Sequence, residues 1–210
     1  MHSGAVGSGG VRILRGADYR VIPWKNGRGV ARQIATFPAD ADYESLDWQV
    51  SRPTIERDTP FSKLAGFDRQ FMLVSGNGVA LRVRSAADRV DFEHRIDRPL
   101  EPFAFRGDWD VDCALADGAV EVLNVMTRRG RAAARIEIRE VLAPALVRKA
   151  AGETLVVYAA DPLTGYGIWG EAGLLPDDSI LVDEPEPTEI AIAATGWPAA
   201  RAVLIRLDCE

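Results

Sequence analysis

The sequence predicts an all-β protein with little helix, built as two successive strand-rich series, and three observations carry that expectation. Apolar and polar residues alternate with a two-residue period, as where Leu46, Trp48 and Val50 oppose Asp47, Gln49 and Ser51. Such stretches recur at intervals of roughly ten residues between turn-forming glycines and prolines, the spacing of a sandwich or barrel. No convincing helical period intervenes.

Taken in order, residues 1–10 hold four glycines, two serines and His2, the composition of a flexible lead. The clearest hairpin is expected from Phe71 to Val74, through Ser75-Gly76-Asn77-Gly78, into Val79 to Val83, because glycine supplies the positive φ of a tight turn. Further strands are expected over 90–96, over 109–115 with Trp109, Val111, Cys113 and Leu115 on one face, and over 120–126. After Arg128-Arg129-Gly130 a second series begins with Ile136 and Ile138. It continues through Thr154 to Tyr158, Ser179 to Val182 and Glu189 to Ile192, and ends on Val203, Ile205 and Leu207. The basic turn at Gly130 is the expected boundary, giving a first barrel over 11–130 and a smaller second one over 131–210. The acidic, proline-bearing stretch 183–187 marks a surface loop.

With 210 residues, the chain can bury a full core in one large or two small β domains. Apolar residues at 47% and scattered charges at 27% are the balance of a globular protein. The net charge is −6, and the densest basic stretch (Arg128, Arg129, Arg131, Arg135 and Arg139) is interleaved with alanines, Glu137 and Glu140 rather than aromatics. Neither nucleic acid nor a membrane is an expected partner. The two cysteines, Cys113 and Cys209, accompany no apolar run long enough for a signal peptide or a membrane span, which points to a reducing cytoplasm.

The common cofactor and catalytic patterns are missing. Gly27-Arg28-Gly29-Val30-Ala31-Arg32 lacks a third glycine and a following helix, and neither a phosphate-loop pattern nor a nucleophile elbow occurs. His94 is the only internal histidine. It shares parity with Val90, Phe92 and Ile96 and reads as a packed, hydrogen-bonded core residue. One imidazole cannot build the multi-histidine metal site of a barrel, and no calcium loop is present. Neither a metal nor another cofactor is expected.

What remains is Trp24-Lys25-Asn26-Gly27-Arg28-Gly29, where an aromatic, a cation and an amide meet at a sharp glycine turn. Those groups suit an anion: the cation gives charge-assisted hydrogen bonds to a carboxylate, the amide reads a carbonyl and the aromatic excludes water. An ordinary turn with a buried tryptophan accounts for the same residues. Two further clusters mix turns, aromatics and charge: Pro60-Phe61-Ser62 with Gly66-Phe67-Asp68-Arg69, and Phe103 to Trp109. Asn124 shares parity with Val120, Val122 and Met126, so it faces inward as either a structural tie or a ligand contact.

Six ordered motifs resemble the HutD/Ves family: Pro23-Trp24-Lys25-Asn26-Gly27-x-Gly29, Trp48-x-x-Ser51, Thr59-Pro60-Phe61-Ser62, Gly66-x-Asp68-Arg69, Phe105-x-Gly107-Asp108 and Asn124 to Arg129. They cover most of the first 130 residues, and the second half matches only as a β-rich remainder. The resemblance implies a cupin-like double barrel, or bicupin, associated with bacterial histidine utilisation. It also implies binding of a pathway intermediate such as formylglutamate, without established catalysis, which fits the missing metal ligands. Carried over position by position, it points to Trp24, Lys25, Asn26, Ser51, Phe61, Arg69, Asp108, Asn124 and Arg128 as ligand-binding residues. The chain departs from the family pattern where Arg28 replaces a glycine, Ala31 a frequent threonine and Gln33 a frequent acid, changes that make the first turn more cationic.

Three functions therefore compete. The first is a non-catalytic binder of a small carboxylate, with Lys25, Asn26 and Arg69 as its polar contacts. The second is a metal-free hydrolase or isomerase using Asp68 or Asp108 as general base, with Lys25 steadying an oxyanion. A third is an interaction module whose sheet edges serve another protein or a second copy of the chain as a homodimer. A pocket carboxylate with a strongly raised pKa favours the enzyme; a pocket of cations and amides with every carboxylate paired favours the binder.

Overall fold

The computed structural model describes residues 10–196 and 199–209. The expected lead lies outside the described residues apart from Gly10. The first strands are β1 (Val11–Leu14), β2 (Arg20–Pro23), β3 (Val30–Phe37), β4 (Trp48–Ile55), β5 (Thr59–Pro60) and β6 (Phe67–Ser75). Next come β7 (Val79–Ser85), β8 (Val90–Ile96), β9 (Phe103–Arg106), β10 (Asp110–Leu115), β11 (Val120–Arg128), β12 (Ala132–Val141) and β13 (Ala145–Lys149). The last are β14 (Glu153–Ala159), β15 (Leu163–Gly167), β16 (Gly170–Leu174), β17 (Ser179–Val182), β18 (Thr188–Ala194) and β19 (Ala200–Cys209). Among the described residues the only helix is a single 3-10 turn, Gly16–Asp18. None is long and apolar enough to cross a membrane.

The described residues form two compact units, one spanning Arg20–Arg131 and the other joining those up to Tyr19 with those from Ala132 onward. In the first, a six-stranded antiparallel sheet, β2-β3-β4-β11-β6-β9, and a four-stranded one, β5-β10-β7-β8, share a core. Phe71, Leu73 and Val122 of the larger sheet meet Leu81, Val83 and Val111 of the smaller. The second unit repeats the plan with β1-β17-β14-β19-β12 and β13-β18-β15-β16. Its interior is filled by Leu155, Val157, Leu163, Ile180, Ile192 and Leu204, with Trp169 packed against them. The tryptophan ring occupies the space a Cβ on Gly167 would need, 1.9 Å away.

Three expectations need correction. Residues 11–19 do not belong to the first barrel, because β1 pairs with β17 (Val11 opposite Val182, Leu14 opposite Ser179). The Asp178 carboxylate then receives the Gly16 amide at 2.8 Å and the Arg15 guanidinium at 2.6 Å, anchoring the segment there. The partner strand lies far away in sequence, which local alternation cannot reveal.

The second correction concerns the expected hairpin, since β6 and β7 do not pair. β6 lies between β11 and β9, whereas β7 lies between β10 and β8. The turn does contain positive-φ glycines, Gly76 at 101° and Gly78 at 104°, but it carries the chain from one sheet to the other. A Cβ on Gly76 would stand 2.7 Å from the Ala119 carbonyl oxygen, and one on Gly78 2.6 Å from that of Ile96. The glycines thus permit close backbone approach at a sheet corner. Third, His94 is half-buried rather than a hydrogen-bonded core residue, and its ring stacks on Phe103 with centroids 4.2 Å apart.

Candidate functional site

The inner face of the six-stranded sheet carries polar side chains where a core would carry aliphatic ones. Pairing sets Gln49 and Arg69 on either side of Met126, and in the next row sets Ser51 and Phe71 on either side of Asn124. Gln49, Ser51, Arg69 and Asn124 are all buried. Together with Trp24, Phe61 and other apolar side chains they enclose a cavity of about 50 Å³. Ser62 and Tyr43 also line it. That volume holds a few water molecules or the head of a carboxylic acid, on the basis that one water needs at least about 10–15 Å³.

Arg69 dominates the electrostatics. Only 8% exposed, it donates Nε and Nη2 to the Asn124 side-chain oxygen at 3.3 and 2.9 Å. Its guanidinium carbon lies 5.2 Å from the Phe61 ring centre and 4.9 Å from that of Phe105. Among the described residues no carboxylate pairs with it, and none lines the cavity. Burial lowers the guanidinium to about 10, partly offset by Tyr43, so it stays cationic at neutral pH. Burial also raises the Tyr43 phenol, against smaller opposing effects of the Arg69 charge and a hydrogen bond with the Lys25 backbone. The side chains of Gln49 and Ser51 have no hydrogen-bond partner among the described residues. Buried polar groups are rarely left so.

Of the residues expected to bind ligand, the structure brings Trp24, Ser51, Phe61, Arg69 and Asn124 to the cavity. The other four do not line it. Lys25 is exposed on the turn. Asn26 ties that turn down: its amide nitrogen donates to the Pro60 carbonyl at 3.1 Å, its backbone N–H to Ser62 Oγ at 3.2 Å, and its side-chain oxygen accepts from the Arg28 N–H at 3.0 Å. Asp108 accepts from the Gly66 N–H at 3.1 Å and pairs with Arg129, which also holds Asp68. Burial pushes the Asp108 carboxyl up, but Arg129 and the Gly66 amide outweigh it, leaving it below the ordinary carboxylate value. Arg128 lies over the Phe67 ring and donates to the Leu46, Tyr43 and Glu44 carbonyls, fixing the backbone that carries Tyr43.

Sequence reasoning missed Gln49, Tyr43 and Ser62. Gln49 and Ser51 were visible as the polar side of an alternating strand, but six of the eight β4 residues, Trp48 to Pro53, are buried without interruption, on both faces. Asn26→Ala is expected to cost about 1 kcal/mol of stability, one modest hydrogen-bonding contribution, and to weaken carboxylate binding only a few-fold. Thermal denaturation and calorimetric titration check both. A loss of affinity as large as that from removing Arg69 would make Asn26 a ligand contact instead.

A family model described as HutD matches residues 16–200. The chain belongs to the HutD family. An uncharacterized 21.2 kDa protein in the hutC 3' region of Pseudomonas putida is 32% identical over 127 residues, 60% of this chain and 63% of that protein. The chain thus spans somewhat less than two thirds of the length of the curated relatives it matches. HutD from Pseudomonas fluorescens, solved in a formate condition, is 28% identical, with a TM-score of 0.75 over 96% of this chain and 100% of the other. A conserved Pseudomonas aeruginosa protein of unknown function superposes with a TM-score of 0.79 at 27% identity, again over 96% and 100%. A cupin 2 barrel protein from Leptotrichia buccalis, 12% identical with a TM-score of 0.57 over 88% and 91%, identifies the HutD fold as cupin-like. Among the described residues no three His, Cys, Asp or Glu side chains converge in a way that could hold a metal ion.

Proposed function

We propose that the chain binds a small carboxylate, a formylglutamate-like intermediate, in a role linked to histidine utilisation, and that it does so without a metal. The observation that carries this reading is Arg69: a buried guanidinium without a carboxylate partner, facing a cavity whose amide and hydroxyl groups, Gln49 and Ser51, are also unpartnered. Stripping a cation of water is costly unless an anion replaces it. A ligand carboxylate would accept from Arg69 and from the hydroxyl and amide donors, each bond strengthened by the surrounding aromatic wall. Family membership supports the pathway link.

The enzyme alternative needs a general base at the cavity. Asp68 and Asp108, the candidates for that task, are engaged by Arg129, and Asp108 titrates below its ordinary value. This arrangement favours binding over acid–base chemistry.

Isothermal titration with formylglutamate, urocanate, histidine and glutamate, with and without a chelator, tests the proposal. Chelator-insensitive binding of a carboxylate is expected, and silence toward all four would remove the reading. The pH dependence has a stated sign. Arg69 keeps its proton up to about 10, so affinity should be level between roughly pH 6 and 9 and fall below roughly pH 4–5 as the ligand carboxyl protonates. It should fall again above about 10, where the guanidinium loses charge.

A further inference from the structure

Trp24 lines both the cavity that holds Arg69 and an open groove of about 400 Å³. The groove is lined by Arg28, Arg57, Glu56 and Thr54, together with the backbone around Gly27 and Gly29. Its charge is two guanidiniums against one carboxylate.

Elsewhere in the same unit arginines are commonly matched to acids: Arg20 with Asp40, Arg52 with Glu121, Arg82 with Asp91, Arg84 with Asp112. Arg28 and Arg57 have no ion-pair or side-chain hydrogen-bond partner among the described residues, although the acidic Glu56 lines the same groove. Trp24 itself is constrained, because Gly29 passes so near that a Cβ there would stand 3.0 Å from the indole ring. The indole Nε1 is buried with no acceptor. A buried N–H without a partner is uncommon and costs stability.

We propose that this groove is a second anion subsite, so that the preferred ligand is a dicarboxylate. One acid group sits against Arg69, and the other reaches past Trp24 to Arg28 and Arg57. The inference rests on the reading that the inner cavity takes a carboxylate, and it adds residues, Arg28 and Arg57, outside the inner cavity. Selectivity for two acid groups follows from placing one cation in the inner cavity and two in the groove, with Trp24 lining both. The outer pair is solvent-exposed, so its share of the affinity is sensitive to salt.

The test is calorimetric titration of matched acids, butyrate against glutarate and hexanoate against adipate, into the wild type, Arg28→Gln/Arg57→Gln and Arg69→Met. At low ionic strength one of the diacids is expected to bind about tenfold tighter than its monoacid partner. In Arg28→Gln/Arg57→Gln that advantage should collapse toward the monoacid level, with thermal midpoints confirming that the variant folds. Equal affinity for mono- and diacids, or an advantage that survives the double substitution, overturns the second subsite; monoacid binding abolished by Arg69→Met would still leave the inner one standing. If no acid binds the wild type, both proposals fall together.

Discussion

Arg69→Met is expected to abolish carboxylate binding, by about 100-fold or more, while leaving the folded protein as stable as before or slightly more so. The binding term is large because charge-assisted hydrogen bonds in a dry site are worth about 1.5–3 kcal/mol each, and about 2.7 kcal/mol already corresponds to a hundredfold. The stability term has the opposite sign from most core substitutions. A buried guanidinium without an anion carries an uncompensated desolvation cost, and hydrophobic replacements of similar shape at such sites are often neutral or stabilising. Methionine keeps the volume between Phe61 and Phe105 and remains favourable against aromatic rings. The opposing loss is the Asn124 side-chain oxygen, which gives up two donors, and the contact with the rings, about 0.5–2 kcal/mol. These offset one another to within a kcal/mol or two. Titration and thermal denaturation of the same preparation decide the matter. A large drop in midpoint together with retained binding would make Arg69 a structural residue and would remove the proposed site.

How much of this could be read from the chain depends on what alternation can express. A strand packed on one face announces itself, and Val79 to Val83 and Trp109 to Leu115 were legible for that reason, with Val79, Leu81, Val83, Val111 and Cys113 buried between more exposed neighbours. In β4 the same rhythm misleads, because the polar face is buried too: Gln49 is 4% exposed and Ser51 2%. The cavity needs polar side chains inside, so the side that resembles a solvent face is the binding face. Pro53 also sits within this central strand, which is unusual because proline cannot donate to the ladder. It is accommodated where β4 and β11 leave off pairing, between the Glu121–Thr54 and Asn124–Ser51 pairs. Strands β15 and β16 were hidden by Gly165, Gly167, Gly170 and Gly173, residues with low strand propensity. The turn carrying Trp24 borders the cavity, but the direction of Asn26 within it is set by segment 60–62, to which it is hydrogen-bonded, and no local pattern announces that. The glycine pair of the expected hairpin shows a related limit: positive φ marks a turn without saying whether its arms pair or part.

Gly107→Ala is expected to cost about 3 kcal/mol, at the upper end for inserting an atom into a packed site, and to lower the thermal midpoint by roughly 10 °C or more. Gly107 does not occupy the left-handed region, so its need is for space. A Cβ there would stand 2.4 Å from the Leu64 carbonyl oxygen and 3.1 Å from its Cβ. The oxygen cannot retreat easily, because the two backbones are joined: the Leu64 N–H donates to Gly107 at 2.7 Å, and the Gly107 N–H to Phe67 at 2.8 Å. Next along the chain, Asp108 holds the Gly66 amide and Arg129, and Leu64 lines the cavity. Any shift that relieves the clash therefore moves the cavity wall, and protein that still folds should bind carboxylate more weakly. Gly118→Ala supplies the contrast. There φ is +68° but nothing lies within 4 Å of the added atom, so the cost is backbone strain alone, about 1–2 kcal/mol, with affinity untouched. Equal, mild effects in the two variants would mean that the Leu64–Gly107 approach is soft and that the motif glycine does not brace the site.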